Sequence, residues 1–225
     1  MQQYSFEKEA PFIEAHDLTL RTMVGNPYTN VSLVAPCDSL VAIRGRHGSG
    51  KTPLLLTLAG RMKFSQGTLT VGGYDLPQDR RQVARISGLS IFEGLNDLEE
   101  NISCELILYS ELELYGKPHK QIHVDAYFQR WNLSHIQHQL VRDITRFDLV
   151  QFGIALGMVS DPQLLIVDDI EDQLTLNQTH QILEGLLAIA HDAHKVVVVG
   201  CTEKSVAESA DCVYTLTKEG SSYGL

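Results

Sequence analysis

The eight residues from Gly45 to Thr52, with the sequence GRHGSGKT, have the most specific chemistry in this chain. Their three glycines let the backbone curl tightly enough for successive N–H groups to point at a phosphate. Lys51 adds a cation, and the hydroxyl of Thr52 suits Mg²⁺. The segment therefore predicts a nucleotide phosphate site, and its predicted binding residues are Gly45, Arg46, His47, Gly48, Ser49, Gly50, Lys51 and Thr52.

The residues on either side of this loop match the elements that such a loop requires. Leu40-Val41-Ala42-Ile43 is apolar and partly β-branched, which is typical of a buried strand. Residues 53–59 have the composition of a helix that opens directly after the loop. A strand, a glycine-rich loop and a helix in this order place a phosphate at the positive end of the helix dipole.

A second predicted strand, Leu164–Val167, ends in two carboxylates, Asp168 and Asp169. Parallel sheets bind ligands at the carboxyl ends of their strands, so we expect these acids to lie near the phosphate loop. We expect Asp168 to hold Mg²⁺ together with Thr52. We expect Asp169 to polarise the water that attacks the terminal phosphate. Lys51 is the second predicted catalytic residue.

The composition limits the classes of function. The chain has 225 residues and a formal net charge of −10, which argues against nucleic-acid binding through bulk basic charge. Its four cysteines have no C-x-x-C spacing, as expected for free thiols in a reducing cytoplasm. No segment resembles a signal peptide or a membrane span, so the sequence predicts a cytoplasmic protein that reaches the membrane only through a partner.

The pattern along the chain predicts one α/β domain with an N-terminal antiparallel β layer and an inserted helical subdomain. Gly25-Asn26-Pro27 is a turn signal. We expect residues 1–96 and 145–225 to form the core with the β layer, and residues 97–144 to form the helical subdomain. The predicted strands are 12–20, 31–34, 40–43, 67–71, 86–92, 164–167, 196–199 and 213–216, and the later helices are 149–159 and 177–190.

The order of these motifs resembles the nucleotide-binding subunit of ATP-binding cassette (ABC) transporters over essentially the whole chain. Gly45–Thr52 matches the Walker A motif of that family and Leu164–Asp169 matches Walker B. The stretch from Gly67 to Leu76 resembles its hairpin after the first helix, and Leu98–Ile102 resembles the start of its helical subdomain. The resemblance implies an ABC-type P-loop ATPase core, ATP and Mg²⁺ as ligands, an integral membrane partner, and a head-to-tail homodimer or heterodimer of cassettes.

Several positions depart from the family's pattern. The signature L-S-G-G-Q falls at Ile144–Asp148, where Thr145 keeps a hydroxyl but Arg146 and Phe147 are too large for a close backbone approach to a phosphate. An arginine there still supplies charge, so we expect an altered contact. Glu93 stands in the loop that normally carries a metal-contacting glutamine, and a carboxylate is also a Mg²⁺ ligand.

The switch histidine of the family is also replaced, because Thr202 is followed by Glu203. An ionised glutamate repels a phosphate, so Glu203 is expected to point away, to pair near Lys204, or to be protonated when ATP is bound. Asp169 is one methylene shorter than the usual glutamate. The adenine-stacking aromatic falls at Thr22, and Tyr28 is either its replacement or a solvated turn residue.

Phosphate and Mg²⁺ capture therefore look intact, while the groups that trigger hydrolysis are each modified. The sequence predicts an ATP-binding transporter subunit with slow hydrolysis. The alternative is a non-hydrolysing, nucleotide-dependent interaction module on the same fold. A small-molecule kinase fits less well, since neither an arginine-rich lid nor an acceptor site is identifiable. The face at which the family receives its membrane subunits would comprise Phe92, Leu95, Leu98, Ile102, Leu106 and Leu108, although apolar residues at this spacing more often belong to an ordinary core.

Overall fold

The computed structural model describes residues 10–217 and the backbone of residues 220–224. The strands in chain order are β1 (Ile13–Thr22), β2 (Gly25–Ala35), β3 (Leu40–Arg44), β4 (Gln66–Val71), β5 (Tyr74–Leu76), β6 (Ser87–Leu89), β7 (Leu164–Val167), β8 (Val196–Cys201), β9 (Cys212–Thr217) and β10 (Gly220–Gly224). The α-helices are α1 (Lys51–Leu58), α2 (Arg80–Ile86), α3 (Cys104–Leu114), α4 (Gln121–Arg130), α5 (Arg146–Gly157), α6 (Leu176–Asp192) and α7 (Lys204–Ala207).

The N-terminal half contributes a four-stranded sheet with the order β2-β1-β4-β5, and every pair in it is antiparallel. This sheet is the antiparallel layer that the sequence predicts. One detail of the prediction is wrong: Gly25-Asn26-Pro27 lies inside β2, and the turn consists of Met23 and Val24, because Thr22 pairs with Gly25. Proline is tolerated at position 27 because β2 is an edge strand.

The second sheet has six strands in the order β10-β9-β3-β8-β7-β6. Strands β9, β3, β8, β7 and β6 are parallel, and only β10 pairs antiparallel, with β9. The carboxyl ends of β3, β8 and β7 therefore meet at one edge of the sheet. Their near-continuous apolar composition follows from burial on both faces, because α1 and the antiparallel layer cover one face and α5 and α6 cover the other.

Two tyrosine hydroxyls join the layers. The Tyr214 hydroxyl from β9 accepts a hydrogen bond from the Val34 N–H at 2.9 Å and donates to the Val34 carbonyl at 2.8 Å, which links the two sheets. The Tyr28 hydroxyl from β2 lies 2.8 Å from Thr57 Oγ1 on α1. These bonds fix the β layer against the helix that follows the phosphate loop.

The helices between β6 and β7 form their own apolar cluster. Cys104, Leu108, Val124 and Phe128 are buried in it, and Phe152 of α5 packs on them, with its ring centroid 5.8 Å from that of Phe128. Helix α5 therefore belongs to the interface between the helical segment and the core. In the part of the chain that is described, no helix has both the length and the apolar character needed to cross a bilayer.

Three further elements differ from the sequence prediction. The predicted strand 86–92 contains only the three residues of β6, since Ile86 ends α2, a helix that was not predicted. Helix α5 begins at Arg146, three residues before the predicted start, because Thr145 caps it. Strand β10 was not predicted, because its glycine and serine composition lacks a strand pattern and its pairing is through the backbone.

Candidate functional site

The phosphate loop, residues 45–50, connects β3 directly to α1. Gly50 has φ +94°, a conformation that side chains disfavour, and a Cβ there would lie 2.1 Å from the carbonyl oxygen of Pro27. Only glycine fits this position, because the start of β2 presses on the loop. The loop is thus a fixed backbone cradle at the N-terminus of α1, as a phosphate site requires.

Lys51 is buried at the base of this loop, with 6% of its surface exposed. Its Nζ donates to the carbonyl oxygen of Gly45 at 2.8 Å and to that of Arg46 at 3.4 Å. The ammonium group therefore lies across the loop, where these two carbonyls hold it. An anion in the loop would be a stronger acceptor for the same protons.

Ser49 has a buried hydroxyl that makes no hydrogen bond to any described residue. A Cβ at Gly45 would lie 2.4 Å from this oxygen, so the space beside the hydroxyl is kept by glycine. A buried polar atom without a partner is destabilising unless a ligand or a water satisfies it. The free donor, the glycine cradle and the lysine together fit a phosphate group. The loop also borders a cavity of about 490 Å³, which is lined by Arg44, Gly45, Arg46, His47, Gly48, Ser49, Thr202, Thr215, Leu216 and Thr217.

Thr52 and Asp168 meet across the site. Thr52 Oγ1 donates to Asp168 Oδ2 at 2.5 Å, although β8 lies between the strands that lead to the two residues. Gly200 in β8 allows this approach, because a Cβ at position 200 would lie 2.4 Å from Asp168 Oδ1. A hydroxyl and a carboxylate are the oxygen donors that Mg²⁺ prefers, so these two residues fit the predicted metal.

The electrostatics of Asp168 are those of a desolvated acid. Burial raises the pKa of the Asp168 carboxyl above its ordinary value, and the charge of neighbouring Asp169 raises it further. The hydrogen bond from Thr52 and the charge of Lys51 partly oppose these effects on the pKa. A divalent cation would compensate the two carboxylates, since it favours their ionised forms.

Asp169 adopts a left-handed conformation, with φ +45°, and its N–H donates to Asp168 Oδ1 at 3.0 Å. Both acids line a cleft of about 920 Å³ together with Thr52. The cleft extends from the end of β7 to the helical segment. Its other lining residues include Glu93, Asp97, Glu100, Arg142, Arg146 and Asp172.

Glu93 is exposed and lines the same cleft as Thr52 and Asp168. Its loop is held by Asn96, whose Oδ1 accepts from the Phe92 N–H at 2.7 Å and whose amide donates to the Ser90 carbonyl at 2.9 Å. Among the described residues, no three histidine, cysteine, aspartate or glutamate side chains gather into a metal-binding group. A Mg²⁺ ion does not need such a group, because it usually takes one or two protein carboxylates with phosphates and waters.

The signature-equivalent residues lie at the start of α5. The Thr145 hydroxyl accepts from the Asp148 N–H at 3.2 Å and donates to Asp148 Oδ2 at 2.6 Å, which is an N-cap. Arg146 lines the cleft and is ion-paired with Asp172. Phe147 is half-buried against the apolar cluster beneath the parallel sheet. Of the three, Arg146 is the residue that borders the cleft.

The switch-equivalent Glu203 follows β8 and is exposed. Its N–H and that of Thr202 donate to the carboxylate of Glu171, which was not among the predicted residues. The only sign of Glu171 in the sequence is that it is an acid three residues after Asp168, which does not indicate that it binds the loop after β8. Gly200 and Asp172 were also missed, because their roles depend on contacts between distant segments.

The prediction that Tyr28 contacts adenine is wrong. The Tyr28 side chain is 0% exposed and belongs to the core between the β layer and α1. Burial raises the pKa of Tyr28 to about 12, against the hydrogen bond with Thr57, which lowers it. A ring in this position has no face free for a base, so Tyr28 is a structural residue.

Comparison with known proteins agrees with this geometry. The family model described as "ABC transporter" matches residues 28–171, which is more than half of the chain. Methionine import ATP-binding protein MetN 1 of Rhodopseudomonas palustris is 26% identical over 186 residues, covering 80% of this chain and 49% of that protein. Sulfate/thiosulfate import ATP-binding protein CysA of Mycobacterium bovis is 25% identical over 194 residues, covering 84% of this chain and 54% of that protein. The chain thus spans about half the length of these relatives.

Solved structures show the same fold. The structure of cbiO1 from Clostridium perfringens, part of the ABC transporter complex cbiONQ, has a TM-score of 0.80 at 15% identity and covers 95% of this chain and 88% of its own. The dimeric structure of MJ0796, a bacterial ABC transporter cassette, has a TM-score of 0.80 at 16% identity and covers 95% of this chain and 100% of its own. These likenesses confirm the predicted P-loop α/β fold of the ABC type. Because the family model covers more than half of the chain, the chain belongs to the ABC transporter family, in the ATP-binding part that its relatives share.

Proposed function

We propose that this chain is the ATP-binding subunit of an ABC-type transporter complex, which binds Mg·ATP, hydrolyses it slowly and thereby drives or gates a membrane partner. The proposal depends mainly on one observation. Thr52 and Asp168 form a direct hydrogen bond at the N-terminus of α1, beside a buried lysine and an unpartnered Ser49 hydroxyl. This arrangement supports capture of a triphosphate and its Mg²⁺.

Slow turnover follows from the residues that surround this capture site. Asp169 carries the shorter carboxylate at the position proposed to polarise water, and a positioning error near 1 Å lowers a rate on the order of a hundredfold. Glu203 also stands at the sequence position where the family has its phosphate-binding histidine, so that imidazole is missing. Neither change removes Lys51, Thr52 or Asp168, so we expect affinity to be retained more than rate.

We propose that the chain folds as one ABC ATPase domain and works as one half of a dimer. In this domain residues 1–96 and 145–225 form the core with the β layer, and residues 97–144 form the helical subdomain. Of these ranges, residues 1–9, 218–219 and 225 lie outside the described residues. We propose a cytoplasmic location at the membrane, with a second cassette, identical or not, as the dimer partner.

The proposed face for the membrane subunit is smaller than the sequence predicts. Phe92 and Leu108 are buried in the apolar clusters, which contradicts their assignment to this face. Leu95 and Leu106 remain exposed, with 57% and 53% of their surfaces accessible. These two side chains support a docking surface on the helical segment.

Calorimetry with Mg·ATP and a phosphate-release assay test this function. We expect wild type to bind Mg·ATP and to release phosphate slowly, and Lys51→Ala and Asp168→Asn to weaken binding about tenfold or more. Lys195→Ala serves as a charge-matched control. Lys195 lies at the N-terminal end of β8, away from the phosphate loop, and pairs with Asp161. Absence of Mg·ATP binding in wild type would refute the proposal.

The alternative is a nucleotide-dependent interaction module that binds ATP without hydrolysing it, and the aspartate at position 169 favours it. The two functions separate at saturating Mg·ATP. If phosphate release from wild type equals that of Asp169→Ala at every partner concentration, the chain is such a module. A rate above that of Asp169→Ala supports the ATPase.

A further inference from the structure

The turn after β7 and the loop after β8 are joined by one carboxylate. Glu171 Oε2 accepts from the Thr202 N–H at 2.7 Å and from the Glu203 N–H at 3.2 Å, and Glu171 Oε1 accepts from the same Glu203 N–H at 3.0 Å. The Ile170 N–H also donates to the Gly200 carbonyl at 3.4 Å. The two consecutive N–H groups of this loop therefore share a single acceptor group.

The other side of the same loop is held by the end of β3. Arg44 Nε donates to the Thr202 carbonyl at 3.1 Å, and the Gly45 N–H donates to the Cys201 carbonyl at 2.9 Å. The peptide groups of Thr202 are thus bound at the N–H by an anion and at the carbonyl by a cation. Hydrogen bonds with one charged partner are about twice as strong as neutral ones.

The loop leads into α7, and the Glu203 N–H at its N-cap has no partner inside that helix. Glu203 is the N-cap of that helix, but its side chain makes no capping hydrogen bond. A carboxylate near the first N–H groups of a helix satisfies donors that have no partner inside the helix. Glu171 supplies it from a different segment of the chain.

The position of this loop bears on the phosphate site. Thr202 lines the same cavity as Arg46, His47, Gly48 and Ser49 of the phosphate loop. A loop at this edge is either organised by a bound phosphate or held by the protein itself. Here the N–H groups of Thr202 and Glu203 are both bonded to Glu171, so the protein itself holds the loop.

We propose that Glu171 is a positioning residue, which fixes the loop Thr202–Glu203 in place so that its conformation does not depend on nucleotide. The first part concerns the chain without ligand and stands independently of the proposed function. The second part, that nucleotide leaves the loop unchanged, rests on the proposed ATP binding.

Amide hydrogen exchange of Thr202 and Glu203 tests the first part. We expect both amides to exchange about tenfold or more faster in Glu171→Ala than in wild type without ligand, because two charge-assisted bonds are lost. Glu171→Gln, which keeps one carbonyl oxygen and the side-chain shape, should exchange at an intermediate rate. Glu184→Ala removes an exposed acid from α6 and should leave both amides unchanged.

Protection of Val198, in the middle of β8, reports whether the fold is retained. Unchanged Thr202 and Glu203 exchange in Glu171→Ala with Val198 still protected would overturn the proposal. If Glu171→Ala loses Val198 protection as well, the isosteric Glu171→Gln decides: exchange equal to wild type overturns the proposal and faster exchange supports it.

The second part is tested by repeating the exchange with saturating Mg·ATP. We expect the Thr202 and Glu203 exchange rates of wild type to change less than about twofold. A larger change in a sample for which calorimetry shows Mg·ATP binding overturns nucleotide independence. If calorimetry shows no binding, the proposed function fails, while the comparison without ligand still decides the role of Glu171.

Discussion

Arg146, the first residue of α5, is ion-paired with Asp172 in the turn after β7, with Nη2 at 3.0 Å from Oδ2. Arg146 Nε also donates to the Asp172 carbonyl oxygen at 3.3 Å. The side chains are 34% and 35% exposed, so the pair lies at the wall of the cleft. The start of the signature-equivalent helix is therefore tied to the segment that carries Asp168 and Asp169.

A double-mutant cycle on Arg146→Ala and Asp172→Ala measures this tie. We expect a coupling free energy of about 0.5–1 kcal/mol in the free energy of unfolding by urea, since the pair is half-buried; the cycle reports the Nη2–Oδ2 contact, because Asp172→Ala keeps the carbonyl that accepts from Nε. The exposed pair of Lys204, the first residue of α7, and Glu208, its C-cap residue, has a distance of 3.2 Å; it is the matched control and should couple by about 0.3–0.5 kcal/mol. Additive effects of Arg146→Ala and Asp172→Ala would contradict the role of the pair.

The raised pKa of Asp168 predicts a pH-dependent stability. Because the pKa of this carboxyl is higher in the folded than in the unfolded chain, the folded chain binds more protons between the two values, and stability falls as the pH rises through the folded pKa. Asp168→Asn lacks this group. We therefore expect the melting temperature of Asp168→Asn to exceed that of wild type at neutral pH, and the difference to shrink toward acid pH.

The control for this prediction is Asp192→Asn, which changes an exposed acid at the end of α6 and should show no such trend. Saturating Mg·ATP should reverse the order at neutral pH, because the metal stabilises ionised Asp168. A melting-temperature difference between wild type and Asp168→Asn that is constant from acid to neutral pH would show that burial does not raise this pKa.

The sequence predicted those parts of the site whose residues lie close together in one short stretch of the chain. Residues 45–52 contain the glycines, the lysine and the hydroxyl of the phosphate loop in consecutive order, and the acid pair follows its strand directly. Gly200 and Glu171 act on residues about 30 positions away in the chain, so their roles become visible only when the fold brings those segments together. The same reason explains the error at Tyr28: the glycine and proline before it signal a turn, whereas pairing with β1 extends β2 through them.

Tyr28→Phe tests the structural role of this tyrosine. We expect a loss of about 0.5–1.5 kcal/mol in the free energy of unfolding, because the substitution removes the buried hydroxyl and its bond with Thr57, while the Thr57 hydroxyl still donates to the Pro53 carbonyl at 2.8 Å. Mg·ATP affinity should stay within about twofold of wild type, since no face of the ring is exposed. Tyr74→Phe, on an exposed edge strand, is the control and should change neither quantity. A tenfold loss of Mg·ATP affinity in Tyr28→Phe would show that Tyr28 contributes to nucleotide binding after all.

Gly200→Ala tests whether the missing side chain in β8 is what lets Asp168 reach Thr52. The added Cβ would lie 2.4 Å from Asp168 Oδ1 and 3.1 Å from Leu55 Cδ1, so either the carboxylate or the strand must shift. We expect a loss of about 1–3 kcal/mol in the free energy of unfolding. We also expect the Mg²⁺-dependent part of ATP affinity to fall about tenfold, because the carboxylate no longer faces Thr52.

The control is Gly185→Ala in α6, where a Cβ meets nothing within 4 Å. That substitution should raise stability by about 0.5–1 kcal/mol and leave Mg²⁺ dependence unchanged. If Gly200→Ala keeps wild-type Mg²⁺ dependence, the hydrogen bond between Thr52 and Asp168 does not need the glycine.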